Sequence, residues 1–264
     1  MPILFFTGYP GFLGSELLPR LLRRAPESTA ACLVQPKFAA LARERARPLG
    51  DRVRIVEGDI TTGIDVPPDD VTEIWHLAAI YDLSVTRETG MRVNVDGTRN
   101  MLDFAEHCRA LQRFHHISTC YVSGSFPGIF REDDLERGQS FNNYYEETKY
   151  LAEVEVRKRS GVPWTVYRPS VIVGDSRSGA TQKFDGPYFV MQWLDRQPRI
   201  AMMPVIGNPA AYRFNVVPRD FMIDAIEHVS GRNDIAGKCY QLADPAPLTV
   251  DETIDVIAHA TGRT

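Results

Sequence analysis

Three glycines spaced three residues apart, in TGYPGFLG at residues 7–14, restrict the fold more than any other feature of the sequence. They separate a short apolar run, Ile3–Thr7, from a stretch that places Leu17, Leu18, Leu21 and Leu22 at helical spacing as far as Arg24. A strand that passes to a helix through glycines can take positive φ, pack the helix closely on the strand and bring main-chain N–H groups up to a pyrophosphate. Gly8, Gly11 and Gly14 have a GxxGxxG spacing rather than GxGxxG. The turn, with Thr7, Tyr9, Phe12 and Leu13 around the glycines, is therefore a candidate nucleotide cradle whose weight depends on the elements C-terminal to it.

Those elements alternate regularly. Strands are expected at 29–34, 53–56, 71–77, 114–119 and 164–167, and helices at 38–47, 93–107 and 144–159. The strands are short and apolar without clean period-2 alternation, which argues for a parallel sheet covered on both faces. The expected fold class is α/β, a doubly wound parallel sheet. Beyond Pro169 the rhythm breaks: 174–186 reads as a polar loop, 188–194 as a helix, 214–217 as a strand, 220–229 as a helix, 238–242 as a strand and 250–260 as a last helix. Residues 1–170 are expected to form a nucleotide-binding domain. Residues 171–264 are expected to form a small substrate lobe interleaved with elements that return to the sheet, in one compact body. Ligands of such folds sit at the carboxyl ends of the strands.

Composition excludes several other classes. A chain of 264 residues with 44% apolar and 24% charged content can bury a substantial core without disulfides. Its 30 basic residues are dispersed among 34 acidic ones for a net charge of -4, so a nucleic-acid partner is not expected. Cys32, Cys108, Cys120 and Cys239 form neither a CxxC pair nor a ligand cluster, which predicts reduced thiols and no metal. Residues 1–6 lack the basic leader and length of a signal peptide, and no run approaches the ~18 apolar residues of a membrane span. A cytoplasmic location is expected.

The end of the second strand bears on the nucleotide. An acid there would hold both ribose hydroxyls of NAD and repel a 2′-phosphate. The sequence instead has Leu33, Val34 and Gln35, then Pro36 and Lys37. Gln35 and Lys37 can donate to a phosphate, with Arg43 or Arg45 within reach, which leans the cofactor toward NADP with NAD as the alternative. Asp59, closing the third strand, can accept from an adenine amine or serve the turn with Thr61 and Thr62.

Tyr145 and Lys149 stand four apart in YYEETKY at the start of a helical stretch and so share a face. A tyrosine near its usual pKa of ~10 is a poor proton donor at neutral pH, and a neighbouring ammonium favours its phenolate. Thr119, expected at the carboxyl end of its strand, can bind the same substrate oxygen. A YxxxK pair alone more often marks a charged surface helix; the glycine turn and the Ser118-Thr119 strand end reverse that reading. Tyr144 and Tyr150 have no lysine four residues later.

With these residues the chain resembles the extended branch of the short-chain dehydrogenase/reductase superfamily, with a Rossmann-type fold, and within it the thioester reductase domains and fatty acyl-CoA reductases. The similarity rests on TGYPGFLG (7–14), Gly58-Asp59, HLAA (76–79), NVDGTRNML (94–102), ISTCYV (117–122), YEETKYLAE (145–153), YRPSVIVGDS (167–176) and NVVPRDFMIDAI (215–226). The resemblance implies that Gly8, Gly11 and Gly14 carry the pyrophosphate, Asp59 and Ile60 border the adenine, and Leu77, Ala78 and Ala79 line the nucleotide. It further implies that Thr119 takes the hydroxyl role, Tyr145 is the general acid, Lys149 binds the nicotinamide ribose, and Pro169 and Ser170 abut the nicotinamide amide. Asn94 falls where the family often has an asparagine supporting a proton-relay water and the local backbone. Gln35 departs from the basic residue usual at that strand end. The shortness of the chain, without carrier-protein or adenylation modules, implies a trimmed lobe and a small or free substrate.

The leading expectation is an NADP-dependent reduction of an acyl thioester, aldehyde or ketone. Rival expectations are a nucleotide-sugar epimerase or dehydratase, which would share the three catalytic residues, and a regulatory protein that binds NADP without turnover. The six histidines, including His115 and His116, show no metal-like spacing. Arg177, Lys183 and Asp185 lie in the polar loop and are as readily solvated as substrate-covering, and Arg213 and Arg219 are weaker phosphate candidates. The resemblance suggests a homodimer through the helices at 94–107 and 145–159.

Overall fold

The computed structural model describes residues 1–182, 184, 186–204 and 207–263, so Lys183 and Asp185 of the polar loop lie outside the described residues. The chain divides into two units, one of residues 1–169 with 223–242 and one of residues 170–222 with 243–264.

The first unit is built on a seven-stranded parallel sheet. Its strands are β1 (Ile3–Thr7), β2 (Thr29–Val34), β3 (Val53–Glu57), β4 (Val71–His76), β5 (Arg113–Ile117), β6 (Trp164–Pro169) and β9 (Lys238–Leu242), in spatial order β3-β2-β1-β4-β5-β6-β9. The order reverses between β1 and β4, so the carboxyl end of β1 opens onto a topological switch point. The doubly wound α/β arrangement is the one expected.

The helices form where apolar spacing meets a start signal. In α1 (Gly14–Arg24) Leu17, Leu18, Leu21 and Leu22 are all buried, each contributing roughly 1.5–3 kcal/mol of burial. α2 (Pro36–Ala46) has proline in its first turn and buries only Ala39, Ala42 and Ala46, small side chains that allow close packing. On one face of the sheet Phe5, Ile74, Phe114 and Val166 pack with Met101, Leu102 and Val156 from the helices.

Several boundaries differ from the sequence expectation, three of them beside candidate site residues. The helix expected from 93 begins earlier, as α3 (Arg87–Gly90), because the Thr86 side chain caps the Thr89 N–H; it runs through a wide i→i+5 turn, Met91–Asp96, into α4 (Gly97–His107). Thr119 does not end β5. The strand stops at Ile117, and Thr119 caps the 3₁₀ turn Cys120–Ser123 by accepting from the Tyr121 N–H. Asp59 likewise lies two residues beyond β3, where its carboxylate accepts from the Thr61 N–H at 2.9 Å. In both places a side chain that can bond local backbone draws the chain out of the ladder.

The second unit holds β7 (Val171–Val173) and β8 (Val216–Pro218), a parallel pair, with α6 (Pro187–Asp195) and α8 (Val250–Ala260). β7 is too short to show in a hydropathy pattern, and β8 starts two residues later than expected. α7 (Arg219–Ser230) carries the chain back toward β9. All four cysteines are free, Cys32 and Cys108 buried and Cys120 and Cys239 partly so. Among the described residues no helix is long and apolar enough to cross a membrane, and no group of His, Cys, Asp and Glu is set to hold a metal.

Candidate active site

The glycine turn is closed by its own backbone. Gly8 has φ +87°, and its carbonyl accepts from the Gly11 N–H at 2.9 Å. A Cβ at Gly8 would stand 2.8 Å from Leu77 Cβ, and one at Gly11 or Gly14 would stand 2.7 or 2.6 Å from the Gly8 carbonyl oxygen. The three positions thus have no room for a side chain, which leaves bare backbone at the switch point. Gly8→Ala combines this clash with a left-handed backbone and is expected to lower folding stability by about 1–3 kcal/mol, read from urea unfolding. Wild-type stability in that variant would show that the turn relaxes freely.

Thr7 joins this turn to β4: its hydroxyl meets His76 Nδ1 at 3.0 Å and accepts from the Ala78 N–H at 3.2 Å. Leu77 and Ala78 therefore do lie against the glycines, while Ala79 is exposed. Tyr9 is buried, Phe12 and Leu13 are partly exposed, and the Leu13 carbonyl takes the Leu17 N–H as α1 begins.

At the neighbouring strand ends Gln35 Nε2 donates to Asp59 Oδ2 at 2.6 Å. Burial works against the Asp59 carboxylate, but the Thr61 N–H, the Gln35 amide and the Arg92 charge together hold its pKa below the ordinary value. Ile60 is buried against Gly97, where a Cβ would come within 2.7 Å of Ile60 Cδ1, and Asn100 donates to the Ile60 carbonyl at 2.7 Å. The other basic candidates disperse. Lys37 is exposed over the Phe38 ring, Arg43 pairs with Glu57, and Arg45 turns to the Pro10 carbonyl and Ser15 hydroxyl of the glycine turn.

The third group stands on α5 (Tyr144–Lys158), started by Asn143, whose side chain accepts from the Glu146 N–H. Tyr145 is buried, whereas the rival Tyr144 is about half exposed. Burial, then the adjacent Tyr81, pushes the Tyr145 pKa up, against the lowering effect of Thr119. The Tyr81 ring meets the Tyr145 ring edge-on with centroids 5.1 Å apart. One helical turn on, Lys149 Nζ donates to the Ile117 carbonyl at 2.7 Å, and burial brings its pKa down to about 8. Asn94, on the wide turn, accepts from the Ile80 N–H at 2.9 Å and donates to Thr148 Oγ1 at 3.1 Å. Pro169 closes β6, and the Ser170 hydroxyl is buried without a hydrogen-bond partner among the described residues.

Some residues that shape this site lie inside the quoted motifs without a role of their own in the sequence reading. Thr148, between the tyrosine and the lysine, holds Asn94 and also donates to the Tyr144 carbonyl at 2.7 Å. Arg168 and Glu153 form a fully buried ion pair, and Glu153 accepts from the Ser118 hydroxyl at 2.6 Å, next to Thr119. An arginine inside an otherwise apolar strand, between Tyr167 and Pro169, was the available signal, since such a charge must be paired.

Fold and sequence together define an NAD(P)-dependent enzyme of the extended short-chain dehydrogenase/reductase type. The chain belongs to the male sterility protein family, whose model matches residues 6–226. It is 27% identical to a non-canonical nonribosomal peptide synthetase of Cladobotryum sp, over 97% of this chain and 28% of that protein. It is 32% identical to an alcohol-forming fatty acyl-CoA reductase of Simmondsia chinensis, over 92% of this chain and 58% of the reductase. It thus spans little more than a quarter of the synthetase. Among solved structures, the terminal R domain from the myxalamid PKS-NRPS biosynthetic pathway is similar with a TM-score of 0.81 and 27% identity, over 96% of this chain and 68% of that one. A dTDP-glucose 4,6-dehydratase from Streptomyces venezuelae, with NAD bound, shares the fold at TM-score 0.74 and 24% identity, over 99% of this chain and 82% of that one.

Proposed function

We propose that this chain reduces the carbonyl group of an acyl thioester, aldehyde or ketone, with NADPH as the reductant and Tyr145 as the general acid. The observation that carries this reading is the buried Tyr145 phenol, on whose pKa Thr119 acts, with the buried Lys149 one turn along the same helix. The similarity to an acyl-CoA reductase and to a terminal R domain supports the substrate class.

The residues present fit a dinucleotide, because the glycine turn is a cradle that any Cβ would fill. Gly8, Gly11 and Gly14 would carry the pyrophosphate, Asp59 and Ile60 the adenine, Leu77 and Ala78 the nucleotide wall, and Pro169 and Ser170 the nicotinamide amide. The bound reduced nicotinamide supplies the hydride. Lys149 spends one of its three N–H bonds on Ile117 and keeps two for the ribose hydroxyls. Thr119 and Tyr145 polarise the carbonyl oxygen as charge grows on it, and Tyr145 passes its proton to that oxygen. With a thioester the resulting hemithioacetal breaks its C–S bond to give a thiol and an aldehyde, and a second reduction gives the alcohol. Asn94 supports the backbone at Ile80 and the start of α5.

The test is NADPH oxidation, monitored by absorbance, with acyl-CoA thioesters of graded length, simple aldehydes and nucleotide sugars. Turnover of thioesters or aldehydes is expected. Turnover of nucleotide sugars with retained NAD would make the chain an epimerase or dehydratase, and cofactor binding without any turnover would make it regulatory. The NADP preference rests on Gln35 standing where an acid would select NAD. Gln35→Asp is expected to move the NADPH to NADH ratio of kcat/KM toward NADH by about tenfold or more, because a carboxylate faces the 2′-phosphate with like charge. An unchanged ratio removes Gln35 from cofactor selection.

A further inference from the structure

The hydrogen bonds around His76 have a direction that donor and acceptor chemistry dictates. The Ala78 N–H can only donate, and does so to Thr7 Oγ1 at 3.2 Å. The Asn94 carbonyl can only accept, and takes the Thr98 hydroxyl proton at 2.6 Å. Thr98 has no second proton, so His76 Nε2, 3.0 Å from Thr98 Oγ1, must be the donor between them. In a neutral ring Nδ1 is then bare and accepts from the Thr7 hydroxyl at 3.0 Å. The ring is neutral: burial, with the Lys149 charge adding to it, brings the His76 pKa down to about 3.

This chain of bonds joins the two halves of the site. It begins at Thr7, where β1 enters the glycine turn, crosses β4 at His76 and reaches the wide turn at Asn94 through Thr98. From Asn94 it passes through the side-chain amide to Thr148 Oγ1 at 3.1 Å, and from there to the Tyr144 carbonyl on the helix that carries Tyr145 and Lys149. Thr7, His76, Asn94, Thr98 and Thr148 are all buried, so water is poorly placed to substitute for a lost partner.

We infer that His76 and Thr98 are positioning residues that hold the glycine turn and the Tyr145–Lys149 helix in one register, so that a dinucleotide seated on the turn meets the proton donor on the helix. The inference rests on the reaction proposed above. Neither side chain touches a reacting group; both act through Asn94 and Thr148.

Three measurements test it. The ¹⁵N spectrum of His76 in the folded protein with NADPH bound is expected to show the neutral Nε2–H tautomer throughout the neutral pH range; an imidazolium or an Nδ1–H ring overturns the directed chain. Thr7→Val and Thr98→Val are expected to lower Tm by amounts whose sum exceeds the loss in the double variant, because each breaks the same network, and additive losses overturn the coupling. Both readouts stand without turnover, so absence of reductase activity would remove the proposed reaction and leave the register decided by the spectrum and the cycle. With turnover, Thr98→Val at saturating NADPH is expected to lower kcat by about tenfold or more, and Thr98→Ser, which restores the hydroxyl, to return it to within about twofold of wild type. Equal kcat in the valine and serine variants would reduce Thr98 to packing alone.

Discussion

Tyr145→Phe is expected to lower kcat for carbonyl reduction by about 10²–10⁴-fold, the usual worth of a positioned general acid, with NADPH affinity and fold retained. The phenyl ring occupies the same space against Tyr81, and only the phenol hydroxyl is lost. If the variant keeps its reductase activity while cofactor still binds, the assignment of Tyr145 is wrong. The same mechanism sets a pH limit. Burial holds Lys149 at about 8, so the ammonium proposed to hold the ribose hydroxyls is lost as pH rises through that value. The rate of reduction is expected to fall about tenfold per pH unit above it, and a flat profile to beyond pH 10 would contradict the role of the lysine. The effect on stability has the opposite sense. The folded state holds Lys149 below its reference value of 10.5, so the cost of burying the ammonium is fully present below about 8 and is relieved between those two values.

Arg168→Met is expected to cost about 3–5 kcal/mol of folding stability, because it removes the fully buried partner of the Glu153 carboxylate and leaves Arg157 alone to compensate it. Arg168 and Glu153 are both 0% exposed, and their contacts run from 2.8 to 3.2 Å in a bidentate arrangement. The same guanidinium donates to the Asp134 carbonyl at 2.6 Å and the Arg131 carbonyl at 3.1 Å, so the substitution also strands the Asp134 carbonyl and leaves that of Arg131 with the Asp134 N–H alone. Surface pairs such as Arg232–Asp234 contribute far less, since water screens them. Replacing both members, Arg168→Met with Glu153→Leu, is expected to recover much of the loss, because the fully buried carboxylate goes with its guanidinium and the charge left over is that of the part-exposed Arg157. Urea unfolding reads both variants. A loss under about 1 kcal/mol for Arg168→Met would mean that Glu153 finds its compensation in Arg157, which also reaches it, at 2.9 Å.

Much of the fold is legible in the sequence. The strands at 29–34 and 238–242 and the helices at 14–24 and 250–260 fall where apolar runs and spacing put them, because burial of one face is a local, periodic signal. The glycine turn is legible because a positive φ and a close approach leave glycine as the one residue type that fits. Strand ends are less legible. At Thr119 and Asp59 the chain exits the sheet because a side chain bonds its own backbone, and hydropathy does not record that choice. Lys37, one of the cofactor candidates, has its ammonium over the Phe38 ring. Its direction depends on a neighbour that no spacing rule specifies.

The sequence alone determined the α/β class, the order of its elements and the residue types available for chemistry, since periodicity, glycine and the four-residue spacing of Tyr145 and Lys149 are properties of a local stretch of chain. Only the tertiary structure decided which distant groups meet. Thr7 with His76, Gln35 with Asp59, Asn94 with Thr148 and Glu153 with Arg168 are separated by 69, 24, 54 and 15 residues. Each pair meets because the sheet register and the packing of helices bring two polar groups together in a buried or half-buried place where each needs a partner. That requirement acts through space and leaves no periodic trace along the chain.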